Sequence, residues 1–86
     1  VIKMKKINEY VNNIVGTVKY FNWKINNIYV EDNCIYAERT RVNGTKAIEG
    51  LYAGSESDPE DVYNVYNKLK YIMNFNNMLS NDNVLI

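Results

Sequence analysis

The sequence predicts an α+β fold: an N-terminal helix, a three- to four-stranded antiparallel meander and a C-terminal helix, packed as a two-layer sandwich. Three observations carry this expectation. Apolar residues recur at helical spacing near both ends of the chain. The stretch between them, residues 17–54, is rich in β-branched and aromatic side chains. That stretch is punctuated by Asn26-Asn27, Asp32-Asn33 and Asn43-Gly44, pairs at which a chain can reverse.

The first helix is read over residues 3–15. Met4, Ile7, Tyr10, Val11 and Ile14 share one face, with Lys5, Glu9 and Asn12 opposite. Gly16 suits the left-handed residue that ends a helix. Thr17–Ile25 then reads as a first strand, with Phe21, Trp23 and Ile25 on one face and Val18 and Tyr20 on the other. Ile28–Glu31, Cys34–Val42 and Thr45–Ala53 follow as further strands. The last helix has the clearest start. Either Ser57 or Asp58 caps it, Pro59 falls in its first turn, and Asp58, Glu60 and Asp61 favour the positive end of its dipole. Its core stripe is Val62, Val65, Tyr66, Leu69, Ile72 and Met73, and it should end between residues 74 and 79. The helix–strands–helix order resembles that of double-stranded-RNA-binding domains. Those domains open their second helix with lysines that grip phosphates, whereas Asp58, Glu60 and Asp61 stand here. No family residue is carried over.

Charge constrains the hairpin at Asn43-Gly44. A two-residue turn sets Arg41 opposite Lys46 and Glu38 opposite Glu49, two like-charge pairs that disfavour it by about 0.2–1 kcal/mol each. A three-residue loop, Val42-Asn43-Gly44, sets Glu38 opposite Ile48 and Arg41 opposite Thr45. A loop of Asn43-Gly44-Thr45 sets Arg39 opposite Glu49 and Tyr36 opposite Tyr52. The last has the best side-chain agreement, and either predicts a bulged or longer turn.

At 86 residues the chain is expected to form one small domain spanning 1–86. A hydrophobic fraction of 47% and zero net charge argue against disorder. No apolar run approaches the roughly 18–20 residues that span a membrane. No secretory leader is legible, because Lys3, Lys5 and Lys6 interrupt the first residues. The single cysteine, Cys34, forbids an internal disulfide, so a cytoplasmic setting is expected. Asn recurs 15 times, and with abundant Ile, Lys and Tyr this points to AT-rich coding. Charge is uneven. Residues 1–46 hold eight Lys/Arg and four Asp/Glu, a balance of +4, and residues 47–86 hold two and six, a balance of −4.

Catalysis is not expected. The chain has no histidine, the commonest general base and metal ligand. Cys34 lacks a His-like partner and reads as a small apolar strand residue. The four glycines form no phosphate-binding loop, and the carboxylates near residues 56–61 lack EF-hand spacing. No catalytic residue, metal or cofactor is therefore assigned.

The leading reading is a non-enzymatic protein-interaction module. Tyr71, Phe75 and Met78 fall on the side of the last helix opposite its core stripe, at i, i+4 and i+7. They either cover a partner or a second copy, or wrap back where the helix ends near Asn74. Glu56, Asp58, Glu60 and Asp61 would meet a basic partner. Size and AT-rich coding suit a small phage or mobile-element inhibitor of a host defence protein. The alternative is nucleic-acid binding through Arg39, Arg41, Lys46 and Trp23, cations for phosphates and an aromatic for stacking. A third reading is a homo-oligomer, such as a homodimer, that captures a small ligand at its interface. The apolar tail Val84-Leu85-Ile86 would pack as an extra strand or extend an interface.

Overall fold

The computed structural model describes residues 2–54 and 56–79, with side chains from Lys6 onward. Its order is α1 (Ile2–Phe21), β1 (Ile25–Glu31), β2 (Cys34–Thr40), β3 (Lys46–Ala53) and α2 (Pro59–Phe75). The three strands form one antiparallel sheet in the order β1-β2-β3. Both helices pack on one face of it, so the α+β architecture holds, with three strands among the described residues. The helices run side by side in the same direction. Their N-terminal ends share a cleft lined by Ile7, Tyr10, Ser57, Asp58 and Asp61. Their C-terminal ends share another, lined by Val18, Asn22, Asn76 and Met78.

The core explains α1. Ile7, Val11, Ile14, Val15 and Val18 are buried at i+3 and i+4 intervals, so the apolar stripe continues past Gly16. Gly16 is exposed, with open space where a Cβ would sit, and does not end the helix. The expected strand over Thr17–Ile25 is corrected accordingly: residues 17–21 complete the helix, and β1 begins at Ile25. The end falls at Asn22, whose φ of 55° is left-handed. The Asn22 N–H donates to the Lys19 carbonyl (3.1 Å) and the Trp23 N–H to the Val18 carbonyl (3.1 Å). This is a Schellman motif.

α2 ends in the same way. Asn77 is left-handed (φ 57°), its N–H donates to the Asn74 carbonyl (3.1 Å), and the Met78 N–H donates to the Met73 carbonyl (2.7 Å). Each motif folds an apolar residue, Trp23 or Met78, back against the core. The helix start matches expectation. Asp58 is the N-cap residue with extended backbone and Pro59 opens the helix, but no side-chain cap bond forms. Val62, Val65, Leu69 and Met73 are fully buried, with Tyr66 and Ile72 packed beside them.

The sheet carries two bulges. Asn26 is the extra residue of β1, so Asn26-Asn27 bends a single strand over 25–31 and does not turn between two. Asp32-Asn33 does turn, with φ of 51° and 60°, the two-residue hairpin geometry that matches strand twist. At the second hairpin the three-residue loop is found. Gly44 has φ 89°, the Arg41 N–H donates to the Thr45 carbonyl (2.7 Å), and Glu38 pairs with Ile48. The Asn43-Gly44-Thr45 loop, with Tyr36 opposite Tyr52, is thereby corrected; Tyr36 pairs with Gly50, and Leu51 is the extra residue of a bulge. The favourable charge pairing survives diagonally. Arg39 Nε meets Glu49 Oε1 at 3.1 Å although Arg39 lies opposite Ala47.

Ile25, Ile28, Ile35, Ala37 and Ala47 line the covered face. Leu79 reaches β1 as a single parallel bridge to Ile25, and the Ile25 N–H donates to the Met78 carbonyl (2.9 Å). Among the described residues no helix is long and apolar enough to cross a membrane. The Met4 side chain and the segment Val84-Leu85-Ile86 lie outside the described residues.

Candidate functional site

The outer face of α2 is built by the helix itself. Its inner stripe is spent on the core, so residues on the i+4 row 63-67-71-75 point away from it. Tyr71 is 72% exposed and Phe75 78%, one turn apart. Tyr63, 51% exposed, lies on the same row two turns earlier, with exposed Asn67 between. Tyr63 is not among the residues expected on this face. Extending the spacing of Tyr71 and Phe75 back toward the N-terminus would have found it. Met78 is corrected: the left-handed Asn77 turns it off this face and against the core. Beside the row, a shallow groove is lined by Asn8, Val11, Asn12, Lys68, Tyr71 and Ile72. Lys68 Nζ bonds Asn8 Oδ1 (3.2 Å) across it and ties α2 to α1.

The acidic residues gather at one end of the molecule. Glu56, Asp58 and Glu60 are exposed and Asp61 is half-buried around the start of α2. Asn33 brings the β1–β2 turn to the same place, because its Nδ2 donates to the carbonyls of Gly54 and Ser57. Asp32 lies in that turn and Glu31 just before it, so both join the acidic end. Glu60 and Asp61 also face the positive pole of the helix, a structural reason for their presence.

Lys6 lines the cleft at that acidic end, whereas Arg41 and Lys46 stand at the opposite end, at the β2–β3 loop. Trp23 and Arg39 do come together, the guanidinium standing 4.7 Å from the ring centre. Phe21 stacks on the same ring at 5.0 Å and 14° between planes. Arg39 is further held by Glu49. These two candidates are engaged within the fold. Arg41 Nη1 reaches Thr45 Oγ1 (3.2 Å) and the Lys46 carbonyl (3.4 Å), and Lys46 lies 3.9 Å from Glu38. Both remain exposed.

The sheet face opposite the helices carries a stacked pair, Tyr29 and Tyr36, with ring centres 5.7 Å apart. The Tyr36 hydroxyl titrates above the ordinary tyrosine range, chiefly because the charge of Cys34 beside it opposes a phenolate. Partial burial, a hydrogen bond with Cys34 and the charges of Glu31 and Asp32 act in the same direction. Cys34 is half-buried and has a free thiol. Among the described residues no three His, Cys, Asp or Glu side chains converge on a metal site.

A further groove, about 310 Å³, opens between α1 and β3. Tyr10, Ile14, Trp23, Leu51 and Tyr52 line it, and Asn13 and Thr17 supply its polar rim. Tyr10 and Tyr52 close one end with ring centres 5.2 Å apart. Comparison with family models, with curated proteins and with solved structures found no match to this chain.

Proposed function

We propose that the protein is a non-enzymatic interaction module that docks a partner protein on the outer face of α2. The observation that carries this reading is the row Tyr63, Tyr71 and Phe75, three large aromatic side chains exposed on a helix whose other face is already buried. Exposed aromatics at i+4 spacing supply a ridge that fits a groove on a partner, and tyrosine brings contact area at low entropic cost. Glu60, at the start of the same face, adds charge for a basic rim on the partner. The nucleic-acid reading has less support, because Trp23 and Arg39 are occupied by Phe21 and Glu49.

The test begins with a photo-crosslinking residue at position 71 in the cell that makes the protein. The captured protein is then purified, and its affinity is measured for the wild type and for the double variant Tyr71→Ser/Phe75→Ser. Both side chains are over 70% exposed, so the variant should keep its fold and lie within about 0.5 kcal/mol of wild-type stability. Affinity should fall at least about tenfold, as for truncated aromatic anchors. Unchanged affinity in the folded variant would sink the proposal.

A further inference from the structure

We infer that the free edge of β3 pairs with β3 of a second copy, antiparallel about a two-fold axis, to form a six-stranded sheet. This inference is independent of the α2 reading. The two edges of the sheet differ. The β1 edge receives Met78–Leu79 at Ile25 only, and the β3 edge has no strand beside it at any point among the described residues. The hydrogen bond from the Arg41 N–H to the Thr45 carbonyl fixes the alternation of β3. Thr45, Ala47 and Glu49 turn their backbone groups toward β2, so Lys46, Ile48 and Gly50 turn theirs outward. Lys46 at one end and the bulge at Leu51 toward the other blunt β3, which has no proline, so the flat stretch open to pairing is residues 46–50. Ile48 is 54% exposed on the face away from the helices.

Charge favours a second copy as the occupant. The β3 edge runs from a basic end, Arg41 and Lys46, to an end where Glu56, Asp58 and Asp61 outnumber Lys6. An antiparallel two-fold therefore sets each basic end against the acidic end of the other copy, twice over. Centring on Ile48 pairs Ile48 with its own counterpart and Lys46 with Gly50, so all three outward-facing residues bond in both copies. Centring on Glu49 would oppose two like charges. This two-fold keeps all four helices on one side of the sheet. It also brings a second α1 toward the open groove over β3, where Tyr10 is exposed.

Light scattering and sedimentation over a wide concentration range test this. The wild type should reach the mass of two 10.1 kDa chains. Ile48→Pro removes an outward N–H and no β2–β3 bond, so it should leave a folded chain of single mass. Arg41→Glu should weaken the dimer severalfold and more steeply at low salt, and Arg41→Glu/Glu56→Arg should restore it. Amide exchange at Ile48 and Gly50 should slow as wild-type protein is concentrated. Tyr71→Ser/Phe75→Ser should leave the dimer intact, which separates this surface from α2. A wild type of single mass at every concentration would overturn the inference, as would a dimer that survives Ile48→Pro. Edge amides that exchange quickly at high concentration would do the same, as would an edge that instead takes up unrelated extended peptides.

Discussion

At Asn33 one side chain holds two parts of the molecule together. Its left-handed backbone completes the β1–β2 turn, and its amide bonds the carbonyls of Gly54 and Ser57 just before α2. Asn suits both tasks, since it tolerates φ > 0 and carries its own donor. Asn22 and Asn77 show the first use again, each ending a helix. The abundance of asparagine therefore has a structural use beside its coding origin. Asn33→Ala should cost about 1–3 kcal/mol, because two carbonyls lose a donor and the turn is strained. Asn33→Gly should recover only the turn component. Urea denaturation of both variants separates the two contributions.

At the scale of elements, α1 shows how one residue can mislead. Gly16 has the composition of a helix end, yet the buried stripe from Ile7 to Val18 carries the helix 20 residues, to Phe21. Packing outweighs the local cost of one glycine, about 1 kcal/mol relative to alanine. Gly16→Ala should therefore stabilise the protein by up to about that amount, since nothing stands within 4 Å of the added Cβ. A raised melting temperature with unchanged circular dichroism would check this. A loss of stability would show that Gly16 does break the helix. α2 was more legible, because its start is signalled by Asp58-Pro59 and its core stripe matches the buried residues. Its outer row was legible at Tyr71 and Phe75. Met78 was left between two readings, and the left-handed Asn77 selects the one in which it wraps back against the core.

At the scale of the whole molecule, charge and core are arranged along different directions. The parallel helices and the antiparallel strands place the acidic turns at one end and the basic ones at the other. The core lies between the helices and one sheet face, centred on Ile25, Ile28, Ile35, Leu69 and Met73. Leu69 is fully buried, so Leu69→Ala should cost about 2–5 kcal/mol in chemical denaturation at fixed protein concentration. That is a large share of the roughly 5–15 kcal/mol that holds a domain together. A cost below about 1 kcal/mol would mean that the site collapses around the smaller residue.

The class of fold, the helix–meander–helix order, the start of α2, its core stripe and the turn at Asp32-Asn33 are all legible in the amino-acid sequence. Each of these is a local signal, a periodicity or a backbone preference that neighbours in the chain express together. Where α1 ends, which of the three hairpin registers holds, and which candidate residues remain available to a partner emerge once the elements pack. Burial of Val15 and Val18 overrides Gly16, and a left-handed Gly44 with a diagonal Arg39–Glu49 pair selects the register. Phe21 and Glu49 occupy Trp23 and Arg39, while Tyr63 joins Tyr71 and Phe75 on one exposed row. The end of α1 and the hairpin register depend on contacts between elements, which no local pattern encodes, whereas the aromatic row is a local spacing that extends to Tyr63.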